Sequence, residues 1–97
     1  MSKNGYSDSL FPQTGRCHIC GKAGTLVRHE VFFGPFRQKC KRLGLWVSIC
    51  PRCHERVHAH IDDTDLQLKR EAQRAAMIAY GCSVVDFIRE LGKNYLP

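Results

Sequence analysis

Two Cys-x-x-Cys pairs, Cys17-His18-Ile19-Cys20 and Cys50-Pro51-Arg52-Cys53, are spaced for metal chemistry in this chain. Both thiolates of such a pair reach one tetrahedral ion, and two pairs complete a four-sulfur shell of the structural zinc kind. The 29 residues between the pairs (21 to 49) exceed a zinc-ribbon spacing and suit a hairpin inserted between two knuckles. Two disulfides or a redox Cys-x-x-Cys are the competing readings. Neither explains why there are two pairs, and no βαβ pattern surrounds either one. Cys40 and Cys82 have no partner at metal spacing; Cys82 reads as a small core residue, and Cys40 carries no assignment.

A second set of donors is histidine. His54 and His58 lie four residues apart, so on a helix both imidazoles project from one face, as two ligands to a single ion do. His29, at the end of an apolar segment that the cysteine staple would hold near that helix, is the third candidate ligand. His60 falls off the helical face and His18 sits inside the first knuckle, so both read as bystanders.

The elements that must position these donors follow from composition. Thr25 to Phe33 has strand composition and ends at Gly34-Pro35; Leu45 to Ile49 is a second strand pairing with the first. Between them, Phe36 to Arg42 reads as a basic loop or irregular turn. A helix starts near Pro51 and runs to about His60. After the acidic turn 62–65, a longer helix spans Leu66 to Tyr80 with Leu68, Ala72, Ala75, Ala76 and Ala79 on one face and Gly81 at its end. Ser83 and Asp86 open a last helix, with Val84, Phe87, Ile88 and Leu91 inward and Gly92 closing it. Residues 1–15 are polar with few anchors and read as a mobile or loosely docked arm, 16–61 as the zinc-stapled core, and 62–97 as a helical extension packed on it.

Ninety-seven residues hold one small domain, which excludes enzymes with separate cofactor and substrate halves. A core this small is commonly supplemented by a metal. The net charge of +6 is uneven: residues 1–60 hold ten Lys/Arg against three Asp/Glu, and 61–97 hold five against six. The basic half also contains every histidine, and its charge points to a polyanionic partner, nucleic acid above all. No Ser-His-Asp arrangement and no phosphate-binding glycine loop of the strand-to-helix kind is discernible, which argues against acyl transfer and nucleotide-dependent chemistry. The absence of an apolar run of about 18 residues and of a secretory leader leads us to expect a cytoplasmic protein with no membrane partner.

The order Cys17-x-x-Cys20, then Arg28-His29-Glu30-Val31, then Gly44-Leu45-Trp46-Val47-Ser48-Ile49-Cys50-Pro51-Arg52-Cys53-His54-x-x-x-His58 resembles HNH endonucleases of the zinc-knuckle type. It is similar to the small versions encoded by bacteriophages and prophages, including the closing Gly92-Lys93-Asn94-Tyr95-Leu96. The resemblance implies an α+β fold, a small ββα-metal (treble-clef-like) finger with a structural four-cysteine zinc site and C-terminal helices, acting on DNA in a bacterial host cell. It implies that His54 and His58 bind a catalytic divalent metal (Mg2+, Mn2+, Ni2+ or Zn2+), separate from the structural Zn2+ on Cys17, Cys20, Cys50 and Cys53. Aligned through Val31, His29 occupies the family's ligand slot and Glu30 the slot of its general base; the converse, Glu30 as ligand and His29 as base, is equally open. The Asn that gives the family its middle letter falls near Gly44 or Leu45 and is absent. Arg28, Arg37, Lys39, Lys41 and Arg42 flank the site and would grip the phosphate backbone without reading bases. The expected activity is hydrolysis of DNA phosphodiester bonds. The alternative is a catalytically inert, zinc-stabilised DNA-binding module derived from such a nuclease, favoured by Glu30 and Leu45.

Overall fold

A computed structural model describes residues 6–97. It is a small α+β fold: strands β1 (Val27–Glu30) and β2 (Trp46–Ile49) form an antiparallel pair, and helices α1 (Arg37–Leu43), α2 (Pro51–Ala59), α3 (Thr64–Tyr80) and α4 (Val84–Leu91) surround it. The register sets His29 opposite Val47 and Glu30 opposite Trp46. Successive strand residues face opposite sides of a sheet, yet His29 and Glu30 are both buried. Both faces of β1 are covered: α2 packs on one, and α1 with the N-terminal segment covers the other.

Residues 36–42, expected as a basic loop, are instead a 3-10 turn (Gly34–Phe36) running into α1. Fully buried Cys40 and half-buried Leu43 give this short helix an inward edge, and the Cys40 thiol donates to the Phe32 carbonyl at 3.2 Å. Cys40 is thereby a core residue. Gly44 ends the helix in the left-handed region (φ 76°), and a Cβ there would collide with the Asp8 carbonyl oxygen. Leu45 beside it is fully buried. Both positions where the resemblance places the missing Asn are thus committed to a cap and to the core.

Residues 6–11 are docked, which corrects the reading of an arm held loosely at best; residues 1–5 of that arm lie outside the described residues. Trp46 Nε1 donates to the Ser7 carbonyl at 2.8 Å, Ser9 Oγ donates to the Trp46 carbonyl, and Phe11 is buried in the core. Trp46 is packed in the hairpin, as its sequence context suggested.

Helix α2 begins at Pro51, with the Cys50 side chain as its cap, and ends at His60 in the left-handed region. Helix α3 starts two residues earlier than expected, so Asp65 belongs to its first turn and is buried rather than lying in an acidic turn. Ala79 is exposed, and in α4 Val84 and Ile88 are partly exposed while Phe87 and Leu91 face inward. The apolar faces are narrower than their periodicity implied because each helix contacts the core along one edge. The Ser83–Asp86 capping box forms in both directions.

The closing residues are fastened to α3. The fully buried Gln73 amide donates to Asn94 Oδ1 at 2.7 Å and accepts from the Tyr95 N–H at 2.8 Å; Arg70 Nε donates to the Tyr95 carbonyl. The Tyr95 ring lies against Phe32, with centroids 5.3 Å apart. This gives the Asn94-Tyr95 segment a structural task.

Candidate functional site

The first knuckle is closed by the Cys17 N–H to Lys22 carbonyl bond and by a bridge between Arg16 and Ala23, and the His18 N–H donates to the Ser48 carbonyl of β2. That bond brings the knuckle to the end of β2, where Cys50 caps α2. The sulfurs of Cys17, Cys20, Cys50 and Cys53 lie within 4.8 Å of one another. Cys20 and Cys50 Sγ are 3.8 Å apart; a tetrahedral zinc with Zn–S of about 2.3 Å separates its sulfurs by roughly that distance. Backbone N–H groups of Cys20 and Cys53 point at the sulfurs of Cys17 and Cys50. Burial pushes the Cys17 thiol up, but these and neighbouring donors outweigh it and bring it down to about 6. Burial and the surrounding sulfurs push Cys53 up to about 12. One thiolate is favoured, and a full set of four requires a cation between them. The cluster could hold a structural metal ion.

The second donor set lies on the other side of α2's register. His54 and His58 place their Nε2 atoms 3.2 Å apart, and the His29 ring stands 5.3 Å and 5.2 Å from theirs between centroids. Their ligand atoms all fall within 4.8 Å of one another. His29 is 2% exposed and its Nε2 has no hydrogen-bond partner. A buried ring nitrogen without a partner is costly unless something absent from the protein atoms meets it, and a cation shared with His54 and His58 fits that requirement. Burial, then the neighbouring imidazoles, lower His29 from 6.5 to about 4; burial and His54 also lower His58. The rings are therefore held neutral, the form that ligates metals.

A pH dependence follows. With no divalent ion at the imidazoles, the unfolded chain protonates His29 near 6.5 and the folded chain only near 4. Below 6.5 the unfolded state binds more protons, so stability falls across this window by up to about 3 kcal/mol. Thermal melts at pH 7 and pH 4.5 should show a larger drop for the unsubstituted chain than for His29→Asn. Equal drops would remove His29 as the cause.

Glu30 stands outside the donor set. Tyr6 donates to its Oε2 at 2.8 Å and Arg37 Nε to its Oε1 at 3.1 Å. Burial pushes the Glu30 carboxyl up, but the bonds from Tyr6 and Arg37 and the Arg37 charge outweigh it and hold the group below the usual carboxylate range. A base in this slot needs a raised pKa and a free oxygen, and Glu30 has neither. It does line, with Arg28, His29, Phe33, Arg37, His54 and His58, a cavity of about 400 Å³. A larger hollow of about 690 Å³ borders Cys20, Cys50 and Arg52, but it contains no convergent nitrogen or oxygen donors. Chemistry, not size, selects the smaller one.

The basic residues separate. Arg28 and Arg37 rim the imidazole cavity, with Arg28 stacked on Tyr6 at 4.5 Å and on Trp46 at 5.1 Å. Lys41 also lies over Tyr6, and Arg42 is exposed on α1. Lys39 is turned away: its Nζ donates to the Glu90 carbonyl at 2.8 Å and joins α1 to α4. His18 pairs with Glu71, and His60 faces Asp65 at 3.7 Å, so neither enters a donor set. Sequence reasoning missed Tyr6, Phe33, Asp65 and Lys69 around the site; only the position of Phe33, four residues beyond His29, gave any signal. Among the described residues no helix is long and apolar enough to cross a membrane. No protein-family model, curated protein or solved structure matches this chain.

Proposed function

We propose that this protein is a metal-dependent endonuclease of the HNH type, hydrolysing DNA phosphodiester bonds with one divalent ion beside a structural zinc on Cys17, Cys20, Cys50 and Cys53. The observation that carries the reading is the convergence of three neutral imidazoles, His29 from the hairpin and His54 and His58 from one helix face, in a cavity rimmed by arginines. When bound, a divalent ion stabilises negative charge on a phosphate in displacement. The chain's own residues hold that ion through ring nitrogens, and Arg28 and Arg37 bind the flanking phosphates by paired N–H donors. The engagement of both Glu30 oxygens supports a second reading, an inert zinc-stabilised DNA-binding module.

Incubation of the purified protein with supercoiled plasmid and Mg2+, Mn2+ or Ni2+ separates the two. Nicking that requires the ion and disappears with EDTA supports the nuclease; DNA binding without nicking supports the inert module. For either reading, Arg28→Gln with Arg42→Gln should flatten the salt dependence of duplex binding. Each lost phosphate contact lowers the log–log slope by about 0.9, read by fluorescence anisotropy between about 50 and 200 mM salt. An unchanged slope would take these arginines out of the DNA interface.

A further inference from the structure

Among the described residues, two buried side-chain polar atoms lack a partner: His29 Nε2 and Asp65 Oδ1. Asp65 is 6% exposed. Its Oδ2 accepts from Lys69 Nζ at 2.7 Å and faces His60 Nδ1 at 3.7 Å. A buried carboxylate oxygen left without a donor costs more than most lost contacts, so its other oxygen calls for one.

The position of Asp65 says where that donor comes from. Lys69 Nζ, bound to Asp65, lies 4.5 Å over the Phe33 ring, and Phe33 packs against His58 at 5.0 Å and His29 at 5.9 Å. Asp65 therefore backs the imidazole group from α3, and its charge acts on both His29 and His58. Three protein ligands leave coordination positions that solvent fills. Glu30, the other buried carboxylate beside the cavity, is already committed to Tyr6 and Arg37.

We propose that Asp65 is a positioning residue of the three-imidazole centre, its free Oδ1 accepting a hydrogen bond from the hydration shell of a divalent ion held by His29, His54 and His58, while Lys69 fixes the carboxylate. The proposal rests on the metal-centre reading above. Outer-shell partners of this kind orient what the ion binds, and losing one typically weakens metal affinity or activity tenfold or more.

The test is a calorimetric titration of the full-length, zinc-loaded protein with Ni2+, with the His58→Ala isotherm subtracted as the blank. Asp65→Asn keeps the shape, removes the charge and should weaken Ni2+ binding roughly tenfold without loss of the structural zinc. Lys69→Met, which leaves the carboxylate in place, should weaken it less. If Asp65 serves only the helix, both variants lower the melting temperature and leave Ni2+ affinity unchanged, which overturns the proposal. If Asp65→Asn does not melt cooperatively, carboxyl 13C NMR of the unsubstituted chain titrated with Mg2+ decides instead: a shift at Asp65 without one at Asp62 supports it, and no shift overturns it. An unsubstituted chain whose Ni2+ isotherm equals that of His58→Ala overturns the three-imidazole reading as well. Intact binding with an unaffected Asp65→Asn overturns this inference alone.

Discussion

Cys53→Ser gives a chain that binds no structural zinc and shows no cooperative thermal transition. The apparent free energy of a structural zinc site at pH 7 is about 10–16 kcal/mol, at least as large as the whole stability of a small domain, about 5–15 kcal/mol. Here the cluster joins the first knuckle, the end of β2 and the start of α2, and Cys17 and Cys53 are themselves buried. A two-stranded sheet of four-residue strands has little else to hold its open end. Cys40→Ala is the control: it removes an equally buried thiol outside the cluster, should cost on the order of 1–2 kcal/mol, and should keep the zinc. Circular dichroism melts with zinc quantification read both. A Cys53→Ser protein melting near the parent's temperature would mean that the sulfurs do not hold the fold.

His58→Ala behaves in the opposite way. Its side chain is exposed, so the variant should melt within a few degrees of the parent and retain its zinc. Loss of one of three ligands should nevertheless abolish plasmid nicking, a fall of a thousandfold or more if the ion supplies several kcal/mol to the transition state. His54→Ala should match it. Nicking that survives either change would place the chemistry elsewhere in the protein, and an unfolded His58→Ala would mean that the two donor sets are not separate.

The parts of this site that were legible in the sequence are those whose geometry is local. Cys-x-x-Cys spacing is set by the reach of two side chains around one knuckle, and His54 and His58 are set by the helical period. His29 followed from its place at a strand end. Residues whose meaning depends on distant partners were not legible. Glu30 meets Tyr6 across 24 residues of sequence and Arg37 across an intervening turn, and neither segment announces the other. Asp65 looked like one member of an acidic turn because its burial depends on Phe33 and Lys69, which no spacing rule connects to it. Helix α1 was hidden by its brevity and charge, with only Cys40 and Leu43 marking an inward edge. The Gln73 clasp on Asn94 and Tyr95 is likewise a long-range polar pairing with no local pattern.

Cys53 and His54 are neighbours on α2, yet they serve different donor sets. At 3.6 residues per turn, inserting or deleting a single residue between them would swing both imidazoles by about 100° around the helix while leaving the thiols where they are. Point changes at the strand position occupied by Glu30 alter one group and leave both donor sets in register. Evolution can therefore edit how such a protein handles a proton far more freely than it can edit the length of this nine-residue helix. Descendants that have lost activity should keep the spacing of α2 long after the residue beside His29 has drifted.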